Sequence, residues 1–307
     1  MINKLGDLTT EKVNKIYSDI DEKSAFEIIK MMNEEDKKVA LAIEKEMPRI
    51  ANAVEKIVEA FKNGGRLVYI GAGTSGRLGI LDAAECPPTF GTPSEMVVGI
   101  IAGGEKALYE AVEGAEDSEA EGQKDLEGIG LSKRDIVVGI AASGRTPYVL
   151  GGLSYAKEIG VYTISLCCNE QAIVSEIADI AITPVVGPEI IAGSTRLKSA
   201  SAQKMVLNML TTASMIGIGK VYKNLMVDVQ TTNEKLLDRA KRIVMMATAT
   251  TEEIAEKALK ESNHQPKVAI VMIQSGCRPN EATAKLEKAN GFVKKALEYI
   301  RGEEEIC

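Results

Sequence analysis

Arg66-Leu67-Val68-Tyr69-Ile70-Gly71-Ala72-Gly73-Thr74-Ser75-Gly76-Arg77 is the stretch whose reading decides the fold. A short run rich in strand formers enters a glycine-rich turn, and a helix-compatible segment follows. An apolar run without polar alternation reads as a strand buried on both faces, the habit of parallel sheets between helix layers. Residues 96–102, 136–141, 161–166 and 180–184 repeat the pattern. Helix-compatible segments separate most of these runs, so the spacing predicts an α/β fold with a five-stranded, mainly parallel sheet between helices.

Outward from that sheet the chain reads as helix. Over residues 8–63 apolar positions recur three or four apart, through Val39, Ile43, Ile50, Val54, Ile57 and Phe61. Asn63-Gly64-Gly65 stops the pattern with residues that tolerate left-handed backbone. Beyond residue 194, segments 194–219, 233–248, 251–260, 266–275 and 279–300 are expected as helices. The run 268–273 would suit a strand, but its isolation from the others favours helix. The predicted organisation is a helical segment over 1–45, the sheet domain over 46–225 and a helical subdomain over 226–307, with 302–307 frayed.

Charge and composition exclude several classes. Lys and Arg number 37 against 44 Asp and Glu, a net charge of −7, which disfavours nucleic acid or an anionic membrane as the main partner. Aromatics are 4% with no Trp, too few for a base-stacking platform. No apolar run reaches the roughly 18 residues of a membrane span, and residues 1–7 lack a signal-peptide core. Five cysteines without a Cys-x-x-Cys spacing indicate neither a disulfide framework nor a zinc site. A cytoplasmic setting and no metal are therefore expected. The single histidine, His264, sits in what reads as an exposed turn, so acid–base work falls to carboxylates or lysines.

Gly71-Ala72-Gly73-Thr74-Ser75-Gly76 formally matches a dinucleotide fingerprint. That site would want an acid ending the second strand, where Ile100-Ile101-Ala102-Gly103-Gly104 stands instead. No Walker phosphate loop occurs. The turn has an echo: Ala142-Ser143-Gly144-Arg145-Thr146 also lies between strand and helix, sharing Ser-Gly-Arg. Hydroxyls beside a helix N-terminus suit a phosphate; the plainer alternative is that Ser75 and Ser143 cap their helices. A third segment, 187–199, carries Ser194, Thr195, Arg196 and Lys198 before a helix. Cations are disfavoured at that helix end unless an anion binds there; solvated basic side chains are the alternative.

Two acidic stretches supply candidate acids. Glu85 lies in Asp82-Ala83-Ala84-Glu85-Cys86-Pro87-Pro88-Thr89-Phe90, where the prolines are expected to end the helix and the neighbours give an apolar setting suited to a proton donor. Glu113-Gly114-Ala115-Glu116-Asp117 is the second. Solvated surface acids are the alternative for both. Glu85 lies ten residues beyond Ser75, about 15 Å along a helix, so it is expected to serve the partner's site in a dimer.

Taken together, Gly71–Gly79, Ala84-Glu85-Cys86-Pro87-Pro88-Thr89-Phe90-Gly91, Glu113–Asp117, Ser143-Gly144-Arg145-Thr146-Pro147-Tyr148, Gly193–Lys198 and Gly276-Cys277-Arg278 resemble the N-acetylmuramic acid 6-phosphate etherase family. The resemblance runs from about residue 27 to 300. The chain departs from the family's Thr-Glu-x-x-Asn-Pro opening, with Thr10-Glu11 and Asn14 present but Lys15 in place of the proline. The resemblance implies a sugar-isomerase (SIS) domain, a homodimer, and no metal or organic cofactor. It implies cleavage of the D-lactyl ether of N-acetylmuramic acid 6-phosphate to N-acetylglucosamine 6-phosphate and D-lactate, in peptidoglycan recycling or catabolism. Glu85 would be the proton donor and Glu116 the second acid/base. Thr74, Ser75, Gly76, Ser143 and Gly144 would hold the phosphate, Glu113 and Arg196 would line the sugar, and Lys198 would reach in from the partner subunit. Two rivals remain: a sugar-phosphate sensor similar to the glucokinase regulatory protein, and an aldose–ketose phosphate isomerase.

Overall fold

Five short strands, all parallel, form one sheet in the order β2-β1-β3-β4-β5. The computed structural model describes residues 6, 8–231 and 233–304. The start read above (1–5 and 7), Cys307 and the last part of the expected fraying (305–307) lie outside the described residues. In chain order the elements are α1 (Ala25–Glu44), α2 (Met47–Lys62), β1 (Leu67–Gly71), α3 (Gly73–Phe90), β2 (Val97–Ile101), α4 (Glu119–Gly128), β3 (Ile136–Ile140), α5 (Pro147–Glu158), β4 (Tyr162–Leu166), α6 (Ile173–Ile177), β5 (Ile180–Ile182) and α7 (Lys198–Gly217). Then follow α8 (Glu234–Thr248), α9 (Glu252–Glu261), α10 (Pro266–Ser275), α11 (Pro279–Lys288) and α12 (Val293–Glu304).

β1 and β3 are buried along their whole length, as continuous apolar runs predict. The strands end in register: Gly71 pairs with Ile101 and Ile140, Ile140 with Leu166, and Leu166 with Ile182. The loops that follow therefore leave the sheet at one level, neighbours about 4.8 Å apart. Where β1 connects outward to β2 and the chain then returns to β3, the winding reverses. That reversal opens a crevice at the carboxyl ends of β1 and β3, the usual ligand position in such sheets.

Two expectations about helices are corrected. Residues 8–24 form 3-10 turns at Thr9–Glu11, Lys15–Tyr17 and Ile20–Glu22, not a long helix. α1 starts only where Ser24 and Glu27 make a reciprocal cap, Ser24 N donating to Glu27 Oε2 at 2.9 Å and Glu27 N to Ser24 Oγ at 3.4 Å. Likewise, Pro87-Pro88 does not end α3, which continues to Phe90. Proline's locked φ is itself helical, so the ring is tolerated while two ladder donors are lost. The isolated run 268–273 is helical, inside α10, with Val268 to Met272 buried.

The chain divides into two compact units, Met1–Ala84 with Glu95–Thr211, and Glu85–Ser94 with Thr212–Cys307. These cuts differ from the expected boundaries at 45 and 225. The N-terminal segment joins the sheet because side chains bind it there: Glu46 Oε2 accepts from Thr183 N at 3.0 Å, and Thr10 N donates to Asn169 Oδ1 at 3.2 Å. Within this unit α4 and α5 approach unusually closely. A Cβ on Gly122 would stand 2.0 Å from the Tyr148 carbonyl oxygen, and one on Gly151 would stand 2.1 Å from that of Glu119. The second unit closes around Ile243, Val244, Leu259, Ile270, Val271 and Leu286.

Candidate functional site

Helix α5 begins at the crevice, and its first turn leaves the N-cap hydroxyl without a capping bond. Thr146 is that N-cap, and Pro147 occupies the first helical position. Arg145 N donates to Ser143 Oγ at 3.4 Å, closing a tight turn. Gly144 has φ +70°, and a Cβ there would lie 2.3 Å from Ala172 Cβ, so only glycine fits. Thr74, Ser75 and Gly76 lie inside the first turns of α3. Ser75, 8% exposed, donates its hydroxyl to Gln203 Oε1 at 2.9 Å. Thus neither serine is the N-cap of its helix, contrary to the plainer alternative.

Beside this crevice the exit of β2 builds an acidic wall. Ala72, Gly73, Arg77, Glu110, Glu113 and Glu116 line a cavity of about 180 Å³ with neighbouring small residues. Arg77 fixes the wall by donating from Nε to Leu108 O at 3.1 Å and from its terminal nitrogen to Glu110 O at 3.2 Å. Gly114, in the left-handed region at φ +75°, turns the chain into the 3-10 turn Ala115–Asp117. Glu113 and Glu116 are both exposed. Three carboxylates against one guanidinium make this wall net negative, so it disfavours an anion. The N-terminal ends of α3 and α5, with their backbone N–H groups, are the surfaces whose chemistry suits an anion.

Glu85 stands exposed on α3 in the first segment of the second unit, not in the apolar setting expected. Leu81, one turn earlier on the same helix, is also exposed. Arg196 is exposed in the turn preceding α7.

Lys198 lies elsewhere. Its side chain is 2% exposed, and its ammonium donates to Glu35 Oε2 at 2.5 Å and to Val186 O at 3.0 Å. Glu35 in turn accepts from Tyr17 OH at 2.8 Å and from Lys38 at 2.6 Å. Burial works against the charge on Glu35, but these hydrogen bonds outweigh it and hold its carboxyl down at about 2. The anion expected at the start of α7 is also internal. Buried Glu189 accepts from Lys198 N, Ser199 N and Ser199 Oγ at 3.0, 2.9 and 2.8 Å.

Sequence reasoning missed Glu189, Gln203 and Asn169. Gln203 answers to Ser75, 128 positions away, and Glu189 to Lys198 and Ser199, nine and ten positions on; neither carries a motif. Asn169 left one signal: it follows β4 directly, at the carboxyl edge where the other loops gather. The thiols of Cys167 and Cys168, just before it, are fully buried. His264 is exposed in the turn between α9 and α10, as read. It borders a larger cavity of about 500 Å³ within the second unit, lined by none of the candidate catalytic or substrate-binding residues. Among the described residues no helix is long and apolar enough to cross a membrane.

Comparison with known proteins bears on the family and the fold. The family model for the glucokinase regulatory protein N-terminal SIS domain matches residues 49–157, and the SIS domain model matches 114–213. An N-acetylmuramic acid 6-phosphate etherase of Alkaliphilus metalliredigens is 72% identical over 307 residues, all of both chains. One of Geobacillus sp. is 58% identical, over 95% of this chain and 99% of its own. N-acetylmuramic acid 6-phosphate etherase 2 of Vibrio cholerae is 57% identical over 97% of each. Among solved structures, a Bacteroides fragilis protein described as a phosphosugar isomerase involved in capsule formation shares the fold. It has a TM-score of 0.50 and 20% identity over 66% of this chain and 98% of its own.

Proposed function

The chain belongs to the N-acetylmuramic acid 6-phosphate etherase family, and on that premise we propose how its residues divide the reaction. The enzyme cleaves the D-lactyl ether of N-acetylmuramic acid 6-phosphate to N-acetylglucosamine 6-phosphate and D-lactate, by elimination and then water addition. That reaction belongs to amino-sugar and peptidoglycan recycling or catabolism, and the reading puts it in the cytoplasm.

An ether oxygen is a poor leaving group, so the sugar must help. In its open-chain form the aldehyde acidifies the hydrogen on C2. Glu116 removes that proton, the C3–O bond breaks, and lactate leaves with a proton from Glu85. Water then adds at C3 of the unsaturated aldehyde, and C2 is reprotonated. Water is consumed, no electron acceptor is needed, and two carboxyl groups in opposite protonation states suffice. The phosphate is held by Thr74, Ser75, Gly76, Ser143 and Gly144, and the sugar by Glu113 and Arg196. Lys198 is left to its pairing with Glu35. Glu85 serves the site of the other subunit in a homodimer. In support, it is exposed, ten residues along α3 from Ser75, next to the uncovered Leu81.

The observation that carries this reading is the register of β1 and β3, which sets the two Ser-Gly-Arg turns side by side at the winding reversal. A lactate-release assay on N-acetylmuramic acid 6-phosphate tests it. Glu116→Ala should abolish release while the folded spectrum persists. Tight sugar-phosphate binding by the parent protein without lactate would favour the sensor, and ketose formation the isomerase.

A further inference from the structure

Asn169 is 1% exposed and carries four hydrogen bonds in one side chain. Its Oδ1 accepts from Thr10 N at 3.2 Å. Its Nδ2 donates to Thr10 Oγ1 at 3.0 Å, to Ala142 O at 3.1 Å and to Ser143 O at 3.2 Å. Three acceptors around the amide nitrogen and one donor at the oxygen leave only this orientation satisfied. The adjacent Cys168 N also donates to Ala142 O, at 3.0 Å. On the far side, Thr10 is itself 1% exposed within the 3-10 turn Thr9–Glu11. The Glu11 carboxylate reaches toward Gly193, 3.5 Å from where a Cβ would stand.

We propose that Asn169 is a positioning residue for the Ser143 turn and that the Thr9–Glu11 turn is the strut that holds Asn169 in place. The proposal rests on the reading of that turn as the phosphate loop. The carbonyl and N–H of a trans peptide point in opposite directions. Anchoring the Ala142 carbonyl on Asn169 therefore aims the Ser143 N–H away from it, outward. Anchoring the Ser143 carbonyl fixes the residue whose hydroxyl is to meet the phosphate. Preorganised donors bind an anion without reorganising at the moment of binding, so loosening the anchor weakens phosphate binding more than it slows bond breaking. The N-terminal turn thus belongs functionally to the phosphate loop although about 130 residues separate the two in the chain.

Five variants test this, read by the KM-against-kcat split, the inhibition constant of inorganic phosphate, and thermal stability. Asn169→Ala should raise KM and the phosphate inhibition constant about tenfold, the scale of losing buried hydrogen bonds, with kcat within about threefold. Asn169→Asp should do more, because it turns a carboxylate on two carbonyl oxygens. Thr10→Val, which removes one acceptor at constant volume, should raise KM in the same direction, and Thr10→Ser should restore it. Should Asn169→Ala fail to fold, the Thr10 pair still decides. Asn169→Ala and Thr10→Val variants that melt earlier yet keep KM and phosphate inhibition, while Ser143→Ala raises both, overturn the positioning role alone. A Ser143→Ala variant with unchanged KM and phosphate inhibition overturns the loop reading and this proposal with it.

Discussion

Replacing Lys198 by methionine should weaken the fold and spare the chemistry. The ammonium sits 2.5 Å from Glu35 Oε2 and 3.0 Å from the Val186 carbonyl, and both charged side chains are 2% exposed. Removing one partner of a buried pair costs about 3–5 kcal/mol, because the other charge stays behind in a poor solvent. Here Glu35 keeps Lys38 and Tyr17, so the lower end, about 3 kcal/mol, is expected. For a chain of this size each kcal/mol moves the melting midpoint by roughly 2–4 °C, so the shift should be about 6–12 °C. A second substitution, Glu35→Leu, removes the stranded charge and should return much of the loss. Circular dichroism melts give the midpoints, and lactate release per folded molecule gives the activity, expected within about threefold of the parent. A Lys198→Met protein that melts like the parent but releases no lactate would refute the assignment and send Lys198 back to the substrate.

The same pair fixes a pH dependence. Glu35 is held at about 2 against an ordinary 4.5, so its contribution is whole above pH 4.5 and is lost as pH falls from there toward 2; Glu35→Gln should flatten the acid-unfolding profile in that window. Gly144→Ala should raise KM at least tenfold, since it needs φ +70° and forces a contact at 2.3 Å; a normal KM would show that the turn can shift. Mixing Glu85→Ala protein with Ser75→Ala protein should yield heterodimers with one intact site and recover up to about a quarter of parent activity. Recovery absent from verified mixed dimers would place Glu85 in its own subunit's site.

The sheet was legible because strands buried on both faces leave a signal no solvent exposure dilutes: 66–70 and 136–141 read true within a residue or two. Residues 8–24 were misread because 3-10 turns with scattered apolar residues mimic helical spacing over short stretches. Pro87-Pro88 misled because a rule about average cost was applied to a helix that bears the cost. The Gly-rich turns, Glu113 and Glu116 were visible because each sits beside a strand end. Glu35, Glu189 and Gln203 were not, for what they do depends on partners 163, 9 or 10, and 128 positions away. Lys198 reads as a ligand-binding cation because sequence shows the charge and hides the Glu35 carboxylate that meets it.

Cys168 lies directly beneath the Ser143 turn: its N–H holds Ala142 O, and its thiol, pushed well above the ordinary range by burial, faces Ser199 O. A thiol so enclosed neither ionises nor meets reagent while the turn is seated. Alkylation can proceed only in the instants when the segment lifts, so the labelling rate of this one sulfur becomes a clock for the breathing of the loop. Occupying the loop with a phosphate ester should make that clock run slower. The molecule thus carries, with no added dye, its own reporter of how firmly that turn is seated.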